Sequence, residues 1–225
     1  MTIFLKRSLP VLFFAMMLAY ITGGIWQNQP LQLITKPLLI PLLMWWVWLS
    51  TGPSKRRSII LAALLFSFAG DVFLLFEYKN PVLFIPGLVS FLLTHILYIV
   101  YFLSLPGTQK SLLRTSPILT LLVVGYGLSL LYILYPSLGA LKIPVIIYAT
   151  VIMCMLLASL HVYKRIPQAA GRLFIAGACF FILSDSLLAV NKFHNPLAYP
   201  FLIMLTYCIA QFLIVKGFLL TVRNR

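Results

Sequence analysis

The chain has 225 residues, 62% of them hydrophobic and only 9% charged, with a formal net charge of +14. A soluble core of this size has no use for so much apolar surface, which excludes an ordinary water-soluble enzyme or binding domain. A basic excess also suggests nucleic acid, but here the cations sit in short loops between apolar runs, and that partner is excluded too.

Apolar stretches long enough to cross a bilayer recur from end to end, at 9–26, 34–50, 58–76, 82–104, 117–135, 140–163, 173–191 and 197–220. They predict an all-α, polytopic integral membrane bundle of eight transmembrane helices. Residues 1–225 then form a single transmembrane domain, with no room for a soluble one. The first run follows Lys6 and Arg7 as a signal peptide would. It continues to Trp26 and meets Gln27-Asn28-Gln29-Pro30 without a small-x-small cleavage site, so a retained helix is expected. Lys36-Pro37 opens the second helix at a membrane boundary. Asp71 follows Gly70 late in the third, and Glu77 closes it. The fourth carries His95 and Tyr98, the sixth Tyr148, and the seventh Ser184-Asp185. In the eighth, Tyr207 and Gln211 form an i, i+4 pair.

Loop charge sets the orientation. With eight spans, one side collects Lys6, Arg7, Lys55, Arg56, Arg57, Lys110, Arg114, Lys164, Arg165, Arg172, Lys216, Arg223 and Arg225. The other side has Lys36, Lys79, Lys142 and Lys192. A split of 13 to 4 predicts both termini in the cytoplasm. It also supports the helix count, because one span more or fewer would scramble it. The basic loops are expected to meet anionic lipid headgroups.

Orientation gives depth. Asp71 and Asp185 each come out about 5–6 Å to the outer side of the midplane. Tyr148 reaches a similar level, and His95, Tyr207 and Gln211 lie near the centre. The chain has only three acidic residues, and a carboxylate at this depth is by default a functional-site hypothesis. Gly70 and Ser184 each put a small residue beside an acid, leaving room for a ligand or for a close helix. Asp71-x-x-Leu74 and Asp185-x-x-Leu188 repeat one pattern 114 residues apart, and Pro86 and Pro200 share that offset. These matches suggest a four-plus-four internal repeat.

Plainer roles compete for every one of these residues. An intramembrane Asp can be a structural group paired with Lys or Tyr, and a lone His is as often a hydrogen-bonded core residue as a functional one. The tyrosines can bind helices together through their hydroxyls, and Lys36 can snorkel to the interface. Glu77, Lys79, Lys192 and His194 are expected to be solvated, with His161 in the inner interface. Trp26, Trp45, Trp46 and Trp48 fit interface anchors. Cys154, Cys179 and Cys208 lack metal-site spacing and are expected to fill the core, and no metal or cofactor is called for.

Several segments are distinctive when taken together. They are Ala69-Gly70-Asp71-Val72-Phe73-Leu74, Pro86-Gly87, and Phe91-x-x-x-His95-x-x-Tyr98 in the first half. In the second half they are Ile143-Pro144-Val145-x-x-Tyr148, Phe181-x-x-Ser184-Asp185-Ser186-Leu187-Leu188-Ala189, and Thr206-Tyr207-x-x-Ala210-Gln211-Phe212-Leu213-Ile214. In this order and spacing they resemble the YhhN-like family, whose characterised members are lysoplasmalogenases, and Lys36-Pro37 fits that family's early lysine. The resemblance implies an eight-helix membrane enzyme that hydrolyses the vinyl ether bond of lysoplasmalogens, releasing a fatty aldehyde and a glycerophospho-alcohol. It also implies Asp71 and Asp185 as the catalytic pair.

Two acids suit that chemistry. Vinyl ethers resist base and yield to acid: a proton goes to the β-carbon, and water attacks the resulting oxocarbenium ion. Two carboxyl groups sharing a site tend to hold one proton between them, which supplies an acid and an anion from identical side chains. Lys36 is then expected near the substrate phosphate. His95, Tyr98, Tyr148, Ser184, Tyr207 and Gln211 would orient the substrate, the acids or water. The expected partners are an alkenyl lysophospholipid and membrane lipid, and the expected host is the bacterial inner membrane. A lipid or proton-coupled transporter using the same aspartates is the other class of function. The nearly non-ionisable inner halves of the third and seventh helices argue for a one-sided cavity instead. A non-catalytic scaffold would leave two buried acids without purpose.

Overall fold

The computed structural model describes residues 2–107 and 109–223. Arg225, counted above among the basic residues, lies outside them, as does the side chain of Arg223. Eight helices are long and apolar enough to cross a membrane, and the described residues contain no strand. The protein is an all-α integral membrane protein. Its helices are α1 (Thr2–Ile25), α2 (Gln29–Ser50), α3 (Lys55–Leu75), α4 (Phe84–Leu103), the four-residue α5 (Leu112–Thr115), α6 (Ile118–Leu134), α7 (Lys142–Val162), α8 (Gln168–Phe193) and α9 (Phe201–Arg223). Contacts divide the chain into two compact units, Met1–Tyr98 and Ile99–Arg225, with the boundary inside α4.

In the first unit, α1 and α2 form a tight hairpin. Gln27 takes a left-handed φ of 54°, and the Asn28 amide returns to the Gly23 carbonyl at 2.7 Å. The α2 start differs from expectation, beginning at Gln29 rather than near 34. Asn28 caps it by accepting from the Leu31 amide, and Pro30 sits in the first turn, where its missing N–H costs nothing. Lys36 is therefore not at a helix start but seven residues inside, about 10 Å along the axis. Pro37 and Pro41 lie inside the same helix, tolerated where neighbouring helices and hydroxyls re-satisfy the backbone. Ser54 caps α3.

The α3 and α4 helices meet at small and hydroxylated residues. Thr94 Oγ1 donates to the Ala63 carbonyl at 3.1 Å and lies 3.1 Å from Ser67 Oγ, all within a buried seam. A Cβ built on Gly70 would come within 2.7 Å of the Phe91 ring, and one on Gly87 within 2.9 Å of Leu74.

In the second unit α8 and α9 make the most extensive pairing, again over glycine. A Cβ on Gly177 would meet Ile214 at 2.7 Å, and one on Gly217 would meet Phe174 at 2.6 Å. Without a hydrophobic drive between helices in lipid, such close van der Waals approach is what holds them. Phe174 also joins Tyr101, Phe102 and Phe218 in an aromatic cluster with ring centroids 4.9–5.8 Å apart. The loop after α4 is pinned by Arg165, which donates from Nε and Nη2 to the Gly107 carbonyl at 3.1 and 2.7 Å. His161, half-buried, lies beside the same arginine at 2.7 Å.

Cys208 fills the core as expected, but Cys154 and Cys179 are exposed on helix surfaces. The outside of a membrane bundle is itself apolar, so a thiol fits there as well as inside.

Candidate functional site

Each aspartate sits on a long helix and has a polar partner within its own unit. Asp71, on α3, is 2% exposed, and its Oδ1 lies 4.0 Å from the ammonium of Lys36 on α2. At that separation the two form an ion pair rather than a short hydrogen bond. The Tyr20 ring of α1 is 6.0 Å from the same ammonium. Lys36 is 7% exposed, so both charges are almost wholly removed from surroundings. Such a pair persists only because each member compensates the other.

Asp185, on α8, is half-buried. Its Oδ2 accepts a hydrogen bond of 2.5 Å from the hydroxyl of Tyr148 on α7. Both residues line a small cleft of about 50 Å³ between α6, α7 and α8. The rest of its wall is Ser186, glycine and apolar side chains such as Leu131, Ile152 and Met153. Ser186 Oγ accepts from the Tyr126 hydroxyl at 2.8 Å and donates to the Ile182 carbonyl at 2.7 Å. A carboxylate, a phenol and a serine hydroxyl thus line an otherwise apolar cleft, with a second phenol, that of Tyr126, bonded to the serine. That arrangement suits a ligand with a polar reacting group and a hydrocarbon tail.

The other candidates divide between the units. His95 and Tyr98 are wholly buried on α4 of the first unit. Tyr207 is 3% exposed on α9, its ring edge-on to Phe181 with centroids 5.5 Å apart, and Gln211 is wholly buried one turn on. Ser184 does not face Asp185's cleft: its hydroxyl donates to the Ile203 carbonyl of α9 at 2.9 Å. The choice left open at the small residues beside the acids, ligand or close helix, falls to the close helix both times, Phe91 against Gly70 and α9 against Ser184. At the membrane edge Lys79, Lys192 and His194 are exposed as expected, whereas Glu77 is half-buried.

Sequence reasoning passed over Tyr126. Its only signal was the Gly125-Tyr126-Gly127 context, which permits close approach. Among the described residues no group of three or more His, Cys, Asp or Glu side chains could hold a metal ion.

The order and spacing of these residues define a family. The YhhN family model matches residues 31–218, and the chain belongs to the YhhN family. It is 37% identical over 177 residues to the human protein lysoplasmalogenase TMEM86A, covering 74% of this chain and 67% of that one. The bovine lysoplasmalogenase TMEM86A is 36% identical over 176 residues, with the same coverage. Human lysoplasmalogenase TMEM86B is 33% identical over 183 residues, covering 80% of this chain and 72% of the relative. No solved structure matches the chain significantly.

Proposed function

We propose that this protein is a membrane-embedded hydrolase that cleaves the vinyl ether bond of lysoplasmalogens, with Asp71 and Asp185 as its acid groups. Family membership and relatives named lysoplasmalogenase at 33–37% identity support the hydrolase and its substrate class. The observation that carries the acid chemistry is Asp185, bonded to Tyr148 on the wall of an otherwise apolar cleft.

In this reading a proton moves from a carboxyl group to the β-carbon of the alkenyl chain, and the C–O bond gains oxocarbenium character. The second carboxylate steadies that cation and takes a proton from the attacking water. The hemiacetal then collapses to a fatty aldehyde and glycerophosphoethanolamine or glycerophosphocholine, and the proton returns to the first group. Tyr148 fixes the orientation of Asp185, and Lys36 does the same for Asp71. The ammonium of Lys36 has three donors, so it can hold Asp71 and a phosphate oxygen together. His95, Tyr98, Tyr207 and Gln211 are assigned to orienting the substrate, the acids or water, and Ser184 sets the α8–α9 approach. The same reading puts the termini in the cytoplasm, which the loop charges favour, and takes the bacterial inner membrane as host.

Aldehyde release from a lysoplasmalogen by purified protein tests the assignment. Wild type is expected to be active, and Asp71→Asn and Asp185→Asn to be folded and inactive. A folded variant with near-normal activity would sink the two-acid scheme, and an inactive wild type would sink the substrate.

A further inference from the structure

The turn between α2 and α3, Thr51-Gly52-Pro53-Ser54, leads into Lys55-Arg56-Arg57, the first residues of α3. Ser54 ends the turn by accepting the Arg57 amide at 3.2 Å, which leaves the first turn of α3 presenting its amides and the positive end of its dipole. Lys55 is exposed there and Arg56 half-buried. Arg57 is different. Although charged at every accessible pH, it is only 7% exposed. Its guanidinium lies 3.8 Å over the ring of Trp48, in the last turn of α2. Its Nε has no hydrogen-bond partner among the described residues.

A guanidinium buried to this degree normally answers its donors with a carboxylate or carbonyls. Here a ring face satisfies the charge in part and leaves Nε without an acceptor. The acids of the same unit are remote: Asp71 is 14 residues along α3, about 21 Å by helix rise, and Glu77 is farther. Lys36 is 12 residues before Trp48 on α2, about 18 Å away along that axis. The arginine therefore belongs to the opposite end of this helix pair from the Lys36–Asp71 pair. Trp48 is itself exposed, as is Trp45 three residues earlier on α2, as rings at a membrane–water boundary are.

We propose that Arg57, stacked on Trp48 in the first turn of α3, binds the phosphate of an anionic phospholipid of the surrounding membrane. A phosphate offers two oxygens to the planar fork of the guanidinium, and a helix N-terminus favours the same group. The extra cations Lys55 and Arg56, with no acid near them on the α2–α3 turn, favour lipids of net negative charge over zwitterionic ones. The Trp48 ring holds the fork in place before the lipid arrives and shields its inner face. This is a second lipid site, separate from the reaction proposed above and independent of it.

Thermal unfolding of the full chain in mild detergent, with lipid counted by native mass spectrometry, tests the site. Phosphatidylglycerol, phosphatidylcholine and inorganic phosphate are added in parallel. Phosphatidylglycerol is expected to raise the melting temperature and to remain as one tightly held lipid, with a smaller effect from phosphatidylcholine. Arg57→Gln should weaken phosphatidylglycerol retention roughly ten-fold, the scale of losing charge-assisted hydrogen bonds. Arg57→Lys, which keeps the charge but not the fork, should fall between, and decides the matter if Arg57→Gln does not fold. Lys110→Gln, in another basic loop, should leave retention unchanged. Equal shifts from phosphatidylcholine, or unaltered retention in both Arg57 variants, would overturn the proposal. A shift from inorganic phosphate equal to that from phosphatidylglycerol would overturn the lipid as its source.

Discussion

Asp71 and Asp185 are chemically identical, yet the two units treat them in opposite ways. The first unit buries Asp71 almost completely, gives it a cation, and closes the helix seam beside it with Phe91 against Gly70. The second leaves Asp185 half-buried on a cleft wall and gives it a neutral phenol. Two like carboxyls can divide the duties of acid and base only if their surroundings differ, and these differ in charge, in access and in partner. Replacing each acid in turn breaks the comparison most directly. Asp71→Asn and Asp185→Asn are each expected to lower aldehyde release by about 10²-fold or more, the scale of general acid catalysis. If only Asp185→Asn does so, Asp71 is a structural counterion and one acid carries the reaction.

The partners come next. Removing one member of a buried ion pair leaves the other charge uncompensated, at roughly 3–5 kcal/mol. Lys36→Met should therefore unfold at markedly lower temperature than wild type. The double variant Lys36→Met/Asp71→Asn should recover part of that loss, because no orphaned charge remains. A Lys36→Met protein as stable as wild type would show that the 4.0 Å contact contributes nothing. Tyr148→Phe is milder. It removes one hydrogen bond to a carboxylate, worth about 1.5–3 kcal/mol, from a residue that keeps its access to the cleft. The expected result is a fall in kcat of roughly ten-fold or more, with a drop in melting temperature smaller than that of Lys36→Met. A variant that melts early and keeps its kcat would make Tyr148 a helix fastener instead.

The helices and their number were legible because twenty-residue apolar runs admit no other reading in a chain this poor in charge. The acids were legible for the same reason, as exceptions to the pattern. The pairing of Tyr148 with Asp185 was half-legible: depth along two helices put them at one level, but not which faces met. Lys36 was misplaced because Gln27 to Pro30 reads as a polar loop, when Asn28 is a cap and Pro30 a first-turn residue; the helix begins five residues earlier than its apolar run. Arg57 was counted only as one of the loop charges, since nothing in sequence tells a solvated arginine from one folded back over a tryptophan. Which side of a small residue faces a ligand is likewise a property of the packed helices.

The small neighbours of the acids sharpen the comparison at its finest. Gly70→Ala pushes a methyl within 2.7–2.9 Å of the Phe91 ring. Overpacking of this kind costs about 1–3 kcal/mol, and here the buried Phe91 ring has to shift to admit the methyl, one residue from Asp71. Stability and activity should fall together. Ser184→Ala removes a single hydroxyl bond to the Ile203 carbonyl. Interhelical bonds of that kind average about 0.6 kcal/mol in membrane proteins, so the melting temperature should scarcely move. Activity should hold as well, because that hydroxyl is engaged with α9 and does not line the cleft. A Ser184→Ala protein of normal stability and greatly reduced kcat/KM would reverse this. It would mean that the hydroxyl leaves Ile203 to meet the substrate, giving Ser184 the binding role its place beside Asp185 first suggested.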